Sequence, residues 1–191
     1  MQDIYEAYYW QNDKVRLRAM RPTDEDASAG EDLDSYAWAM ASEEMVLPIV
    51  KKEVKADNPD AAQNEKAPAF SIENLSGEYV GNIHFNYINE RHGTFDIGLI
   101  IWREHRNKGY GKAAMEILLD YAFNERRLNK FNVDCVDSNR ASAKLMLSLG
   151  CTQEGAVREA FFMNGQFHDK LLFGLTANEY RQLKADLKDD Q

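Results

Sequence analysis

A strand, a short basic loop with two glycines and an amphipathic helix follow one another directly in the middle of the chain. The apolar run DIGLIIW (96–102) is typical of a buried strand, and the loop RNKGYGK (106–112) carries three cations. The helix predicted over 111–127 has an apolar stripe formed by Ala114, Ile117, Leu118, Tyr121 and Ala122. Because the glycines stand where the helix begins, the loop can bring backbone N–H groups towards an anion.

The segments around this unit predict a mixed α/β domain. Three β-rich runs precede the loop, separated by the turn signals NLSG and NERHG, and they indicate an antiparallel meander. After the helix, FNVDCVD (131–137) predicts a short strand and SNRASAKLMLSLG (138–150) a second helix. Two strands flank Asn164-Gly165, a signal for a type I′ hairpin, and a polar helix closes the chain. We therefore predict one α/β (α+β) domain over 1–191, with a mixed, mostly antiparallel twisted sheet flanked by helices.

The front of the chain predicts a strand followed by helical structure. KVRLRAM (14–20) alternates apolar and basic residues, the pattern of a half-buried strand. In RPTDED, Thr23 with Asp26 three residues later resembles a capping box, and apolar residues follow at helical spacing. Residues 42–66 mix acids, lysines and two prolines with weak periodicity. We predict a variable insertion there, mobile or partly helical, which could border a site.

Charge and composition exclude several classes of protein. The chain has 191 residues, with 23 Lys and Arg against 32 Asp and Glu, and its net charge of −9 argues against nonspecific binding to nucleic acid or anionic membrane. No apolar stretch approaches the roughly 18 residues of a membrane helix, and the start MQDIYEAYYW lacks the pattern of a secretory signal. We expect a cytoplasmic protein with no membrane and no direct nucleic-acid partner. Cys135 and Cys151 have no zinc-ligand spacing and are expected to be buried, reduced thiols.

Two common phosphate-binding loops fit the glycines poorly. A Walker loop fails because Arg106 stands where its first glycine would be and Ala113 where its Ser or Thr would be. A dinucleotide fingerprint is formally met over 109–114, but its first glycine stands seven residues after the predicted strand instead of directly after it. A third design, the pyrophosphate loop of acyl-coenzyme A transferases, has a basic or amide residue, two variable residues, glycine, any residue, then glycine or alanine. Arg106, Gly109 and Gly111 satisfy it.

The chain resembles the GNAT superfamily of N-acetyltransferases, in the branch of ribosomal-protein N-terminal and spermidine acetyltransferases. The resemblance runs from about VRLRAM to LTANEY and rests on five motifs in order: VRLRAMRPTDED, EYVGNIHF, DIGLIIWREHRNKGYGKAAMEILLDYAF, VDSNRASAKLMLSLGC and EGAVREAFFMNGQFHD. It implies a GNAT-like sheet with splayed central strands, acetyl-CoA as co-substrate, and an amine-bearing small molecule or a peptide N-terminus as acceptor. It implies no metal and is compatible with a homodimer.

The same resemblance implies a coenzyme site. The backbone of Leu99, Ile100 and Ile101 would pair with the pantetheine arm of the coenzyme. The loop would wrap its pyrophosphate, through Arg106, Asn107, Lys108, Gly109, Tyr110, Gly111 and Lys112. Asn139 and Ser142, at the start of the following helix, would also contact the coenzyme, although Asn139 suits a plain N-cap equally well.

The group that protonates the leaving thiolate departs from the pattern of many relatives. They place a tyrosine seven residues after the asparagine, and here that position is Met146. Ser142 matches a serine that is the candidate acid in the ribosomal-protein branch. A serine in the first turn of a helix can also be an ordinary structural residue.

The general base has three candidates. The ribosomal-protein branch has a glutamate shortly before the hairpin, and the matching position here is Phe161, with Glu159 two residues earlier. Glu159 would share the face of Phe161 if the strand is regular. Asp96 and His84, on predicted central strands, are the other candidates, though each could be a hydrogen-bonded structural residue.

The identity of the acceptor stays open. An α-amine, with a pKa of about 8, needs less help from a base than a lysine-like amine with a pKa of about 10.4, so a weak base favours peptide N-termini. Six acids and no basic residue between Asp24 and Asp34 favour a cationic acceptor instead, unless they only complement a helix dipole.

Aromatic residues and the hairpin could shape the acceptor pocket. The aromatic candidates are Tyr36, Trp38, Phe161 and Phe162, although most such residues belong to a core. His168 and Asp169 follow the hairpin turn and would either position the acceptor or only fix the hairpin.

Two alternatives of other classes remain at this point. One is a dinucleotide-dependent oxidoreductase, which the gap between strand and glycine disfavours. The other is a CoA-binding regulatory module that has lost catalysis, because Met146 and Phe161 stand where relatives place an acid and a base.

Overall fold

The computed structural model describes residues 8–24, residue 40 and residues 68–189. Seven strands are found in these ranges: β1 (Val15–Arg18), β2 (Ala69–Asn74), β3 (Tyr79–Asn89), β4 (Thr94–Ile101), β5 (Lys130–Val136), β6 (Thr152–Met163) and β7 (Gln166–Thr176). They form one sheet in the order β1-β2-β3-β4-β5-β7-β6, in which only β4 and β5 are parallel. The predicted fold class is confirmed. The predicted insertion at 42–66 and the aromatic residues Tyr36 and Trp38 lie outside the described residues.

Three helices follow the meander in the predicted order. They are α1 (Tyr110–Asp120), which continues as a π-helical turn over Tyr121–Glu125, α2 (Arg140–Ser148) and α3 (Ala177–Asp189). The hairpin between β6 and β7 turns at Asn164 and Gly165, whose φ angles of 50° and 82° are those of the predicted type I′ turn.

The hydrophobic core lies between the sheet and α1. The predicted stripe of α1 is buried at Ala114, Leu118 and Ala122, each 0% exposed, and it packs on inward-facing side chains of the central strands. Phe95 of β4 stacks against Phe131 of β5 at a centroid distance of 5.5 Å. Burial of these aromatic rings fixes α1 across the sheet, and therefore also fixes where α1 begins.

Both cysteines are buried and unpaired, as predicted. Burial raises the pKa of the Cys151 thiol to about 12, and burial also raises the pKa of Cys135. Neither thiol is therefore a reactive thiolate at neutral pH. In the described part of the chain, no helix is long and apolar enough to cross a membrane.

Arg18 departs from the alternating pattern of β1, which predicts a polar side chain facing outward. It is buried, because its guanidinium forms a two-point ion pair with Asp24 (2.8 and 2.9 Å) and its Nε donates to Glu73 at 2.7 Å. Ser71 donates to the same Asp24 carboxylate at 2.7 Å. Burial alone would raise the pKa of Asp24, but the hydrogen bonds from Arg18, the Arg21 N–H and Ser71 outweigh it and lower the pKa to about 2. Asp24 is thus an internal anchor of β1 and β2, and it is not part of a solvated acidic face.

We expect Asp24→Asn to lower the free energy of unfolding at neutral pH by about 3 kcal/mol, because it removes one of the two carboxylates that neutralise the buried Arg18 and leaves Glu73 as its remaining charged partner. Urea unfolding of Asp24→Asn and of Asp13→Asn, the same change at an exposed position, measures the difference. The contribution of Asp24 is complete above its ordinary pKa of 3.8 and is lost as the pH falls towards 2. A difference that does not shrink in that window would contradict the charged pair.

Candidate functional site

The central feature of the sheet is an opening between β4 and β5. The two strands pair only at Thr94↔Lys130 and Phe95↔Phe131. Beyond these pairs, β4 continues to Ile101 alongside β3 only, and β5 continues to Val136 alongside β7 only. Among the residues that the structure describes, the facing backbone edges of the two strands therefore have no strand partner, and an extended ligand can pair with them. This is the splayed geometry that was predicted, and it includes Leu99 and Ile100.

The basic loop stands at the mouth of this opening. Gly109 is the N-cap of α1 with φ of 83°, a left-handed conformation that favours glycine. The first backbone N–H of the helix to find a helical acceptor is that of Ala113, which donates to Gly109 at 3.1 Å. The preceding N–H groups of the first turn point out of the helix end and can bind an anion. Gly111 faces Leu99 of β4, so this helix end lies against the opening.

Arg106, the first residue of the loop, is bonded to the end of β4. Its Nε donates to the carbonyl of Ile101 at 2.9 Å. This bond ties the loop to the end of β4, and it also occupies a carbonyl that was predicted to face the pantetheine arm. The residues Asn107, Lys108, Tyr110 and Lys112 complete the loop and the first turn, and their coenzyme roles stay predictions.

Carboxylates from both central strands lie on the sheet face opposite α1. Asp96 of β4 is largely buried, and within the described residues its Oδ1 has no hydrogen-bond partner. Its Oδ2 accepts a long hydrogen bond of 3.4 Å from Asn86. Burial raises the pKa of Asp96, and the negative charge of Asp134 on β5 raises it further. By strand alternation Asp134 lies on the same sheet face as Asp96, and it also pairs with Lys170 at 3.7 Å. Asp96 is therefore a base whose proton affinity is above normal.

His84 lies beside Asp96 because of a glycine. His84 pairs with Gly98 in the ladder, and a Cβ at Gly98 would lie 2.6 Å from the imidazole ring. Only glycine leaves room for the ring to lie across β4 at this point. The nearby His84 favours the ionised form of Asp96, and this effect partly offsets those of burial and Asp134. Two of the predicted base candidates thus lie on one face, next to the opening.

Ser142 and Asn139 lie at the start of α2, by the end of β5. Asn139 is the N-cap, and its side chain accepts the Ser142 N–H at 3.1 Å. The Ser142 side chain is a hydrogen-bond neighbour of the Cys135 thiol and favours its ionised form. Met146 is 5% exposed and belongs to the core. The helix cap is confirmed, whereas the roles of Asn139 and Ser142 towards a coenzyme stay predictions.

Glu159 lies in an irregular part of β6. The ladder passes from Val157↔Lys170 to Phe161↔His168, so three residues of β6 oppose Asp169 alone. Glu159 has a φ of 53°, and its N–H donates to the Asp169 carboxylate at 2.9 Å. The regular strand that would put Glu159 on the face of Phe161 is therefore not present. Its side chain is exposed, and its role as a base has no geometric support.

His168 and Asp169 connect the hairpin to the start of α2. His168 Nδ1 lies 2.7 Å from Asp137 Oδ1, and the Asp169 N–H donates to the other oxygen of Asp137 at 3.3 Å. Partial burial opposes the charge, but these hydrogen bonds outweigh it and lower the pKa of Asp137. Of the two predicted roles, fixing the hairpin is observed.

Three further residues escaped the sequence analysis, because their neighbours are distant in the chain. Asn86 and Asp134 lie at the acidic side of the opening, and Lys14 lies against Gly109. The alternation of NVDCVD could have placed Asp134 opposite Cys135, but nothing local points to Lys14. In the described ranges, no group of His, Cys, Asp and Glu could hold a metal ion.

Comparisons with known proteins agree on one family. The model of the acetyltransferase (GNAT) domain matches residues 14–152. An uncharacterized N-acetyltransferase of Bacillus licheniformis, p20, is 32% identical over 122 residues, which are 63% of this chain and 68% of that protein. The spermidine N(1)-acetyltransferase of Vibrio cholerae serotype O1 is 29% identical over 100 residues, 52% of this chain and 58% of the other.

A solved structure shows the same fold. The spermidine N-acetyltransferase from Vibrio cholerae, in complex with CoA and spermine, superposes with a TM-score of 0.76. The match covers 88% of this chain and 99% of the other, at 22% identity. Likeness at this identity concerns the fold, and the chemistry depends on the residues of this chain.

The pKa values of Asp96 and Asp137 are expected to be shifted in opposite directions from the ordinary value. Carboxyl-carbon NMR should find Asp96 titrating above the ordinary value of 3.8 and Asp137 below it in the same spectra. Burial and the Asp134 charge disfavour ionised Asp96, whereas hydrogen bonds stabilise ionised Asp137. The variants Asp96→Asn and Asp137→Asn assign the signals. An Asp96 pKa at or below 3.8 would contradict the electrostatics of the opening.

Proposed function

Since this chain belongs to the GNAT acetyltransferase family and is an acyl-CoA-dependent N-acyltransferase, we propose that it transfers acetyl from acetyl-CoA to a primary amine by direct attack. One observation carries the proposal: the β4–β5 opening has a glycine-bearing, cationic helix start at its mouth and a base of raised proton affinity on its other face. The family excludes the dinucleotide-dependent alternative. The inactive module remains an outcome of the tests below.

The coenzyme is proposed to lie across the mouth of the opening. Its pyrophosphate would accept the free N–H groups at the start of α1, where the partial positive charge of the helix favours an anion. The amide groups of its pantetheine arm would bond the unpaired edge of β4 at Leu99 and Ile100, as a short strand does. The thioester would then lie between β4 and β5, with the acceptor arriving from the face that carries Asp96.

Asp96 is proposed as the base. The amine arrives as an ammonium ion and must lose a proton before its lone pair can attack the thioester carbonyl. The unpartnered Oδ1 of Asp96 can accept that proton. Asp134, which also pairs with Lys170 at 3.7 Å, supplies a second carboxylate on the same face. The nitrogen–carbon bond then forms and the carbon–sulfur bond breaks. The nitrogen gives up its second proton as it becomes an amide, and this proton balances the one that the leaving thiolate takes up.

The acceptor is proposed to be a small cationic amine or a peptide N-terminus. The carboxylates at Asp96 and Asp134 favour a cationic amine. Spermidine, which is part of the name of one relative, is an amine of this kind. A peptide N-terminus requires less from the base, because its pKa of about 8 leaves part of it neutral at pH 7. Spermidine and an alanine-terminated peptide, compared in the same assay, separate the two.

Gly111→Glu is expected to weaken acetyl-CoA binding by roughly 100-fold, because it adds a bulky negative side chain between Leu99 and Leu145, beside the helix start at which the phosphates are proposed to lie. Gly111→Ala is the matched control. Its Cβ would lie 3.3 Å from the end of the Leu99 side chain, which can move, and it adds no charge. Calorimetric titration with acetyl-CoA measures both variants. Equal affinities for the wild type and Gly111→Glu would remove the loop from the coenzyme site.

Asp96→Asn is expected to reduce kcat by on the order of 100-fold while acetyl-CoA affinity stays unchanged. Release of free thiol against each amine measures turnover, and calorimetry measures binding. Asp186→Asn, the same change on the exposed side of α3, is the control. An unchanged kcat would remove Asp96 from catalysis, and coenzyme binding without thiol release in the wild type would favour the regulatory module.

The stability of Asp96→Asn separates a catalytic from a structural role. A carboxyl group whose folded pKa is raised destabilises the fold once it ionises, so the variant should be at least as stable as the wild type at pH 7. The difference in unfolding free energy should vanish as the pH falls through the ordinary value of 3.8. A variant that loses both turnover and stability would instead indicate a structural residue.

A further inference from the structure

The ammonium group of Lys14 lies at the start of α1, although Lys14 precedes β1 and is distant in sequence. Its Nζ is 3.0 Å from the position that a Cβ on Gly109 would occupy. Gly109 is the N-cap of α1, so the charge stands beside the backbone N–H groups of the first helical turn. No acidic side chain of the described residues pairs with Lys14.

Asn12 holds Lys14 in this place. Its Oδ1 accepts the N–H groups of Lys14 and Val15, at 3.1 and 3.0 Å, and so closes the turn that leads into β1. Its Nδ2 donates to the Ala113 carbonyl of α1 at 2.9 Å. The turn is therefore fixed to the same helical turn that carries the glycines, and the side chain of Lys14 need only cross a short distance to Gly109.

The charges at this helix end do not complement the helix dipole. A helix start carries partial positive charge and is stabilised by acidic residues, yet the first turn of α1 has none. Instead, the loop supplies Arg106, Lys108 and Lys112, of which Lys112 pairs with Glu116 at 3.9 Å, and the turn before β1 adds Lys14. In a chain with a net charge of −9, four cations at one helix start are an arrangement that a bound anion would make favourable.

We propose that Lys14 binds the pyrophosphate of the coenzyme, opposite the N–H groups of α1. This inference rests on the proposed function and adds to the family's loop a contact supplied by the segment before β1. Gly111 faces β4 and α2 through Leu99 and Leu145, whereas Gly109 faces Lys14. Lys14 therefore lies on the side of the helix start that faces away from the apolar contacts of Gly111, where it would meet the phosphate beside the N–H groups of α1. In this place Lys14 favours nucleotide-bearing thiols over a thiol that lacks phosphate.

The test compares Lys14→Gln, Lys14→Arg and wild type with three ligands. Calorimetry with CoA and with dephospho-CoA, which lacks the 3′-phosphate but keeps the pyrophosphate, measures the phosphate contacts. Pantetheine, which has no phosphate, is measured as an inhibitor of the formation of acetylated amine, because its own thiol would react in an assay of thiol release. Lys184→Gln removes the same charge from α3 and controls for net charge. Thermal unfolding of each variant checks that the fold is kept.

Lys14→Gln should weaken the binding of CoA and of dephospho-CoA to the same extent, by about five-fold, and should leave inhibition by pantetheine unchanged. Lys14→Arg should restore most of the affinity, and Lys184→Gln should bind like wild type. Equal CoA affinity in Lys14→Gln and wild type would overturn the inference, and so would a loss confined to CoA, which would assign Lys14 to the 3′-phosphate. A wild type that binds no CoA would instead refute the proposed function.

Discussion

Two residue pairs between β4 and β5 are the constraint on which the rest of the molecule depends. They join the two parts of the sheet, and the ladder stops after them. Aromatic packing continues the connection where hydrogen bonds end: Phe95 contacts Phe131 at 5.5 Å and Phe123 at 5.3 Å between ring centroids, and all three are almost fully buried. Because the sheet is closed at this end by packing, the strands can separate at the other end without dividing the core. The opening is therefore a consequence of where the ladder ends.

The two faces of this opening carry opposite charges, and each is unfavourable without a ligand. On the face of α1, cations crowd a helix start that would be stabilised by acids. On the other face, Asp96 is buried with an unpartnered oxygen and is close to the charge of Asp134. By contrast, the ion pair between Arg18 and Asp24 is fully compensated and lies away from the opening, in β1 and the turn after it. At the opening, Lys112 pairs with Glu116 at 3.9 Å and Asp134 with Lys170 at 3.7 Å. Among the described residues, Lys14 has no acidic partner and Asp96 Oδ1 has no hydrogen-bond partner, as is expected of polar groups in a functional site.

The sequence predicted the elements whose signals are local. The helix stripe, the Asn164-Gly165 turn and the Asn139 cap depend on neighbours within a few residues, and all three are confirmed. It could not predict contacts that depend on the register of distant strands. Arg18 is buried because Asp24 and Glu73 neutralise it, and Glu159 lies in a bulge that Asp169 stabilises. The approach of Asp134 to Asp96 likewise requires two strands that separate after two pairs.

The departure at Met146 changes which catalytic step is demanding. Met146 has no ionisable proton, and its side chain is part of the core, so this position provides no acid at the opening. The leaving group does not strictly need one, because an ordinary thiol has a pKa of about 8.5 and its thiolate is only slightly unstable at neutral pH. An alkylammonium acceptor, with a pKa near about 10.4, must by contrast lose its proton before it can attack. A carboxyl group whose pKa is raised lies closer to that of the ammonium ion than an ordinary aspartate does. In the proposed reaction, proton transfer therefore depends on Asp96, on the side from which the amine would arrive.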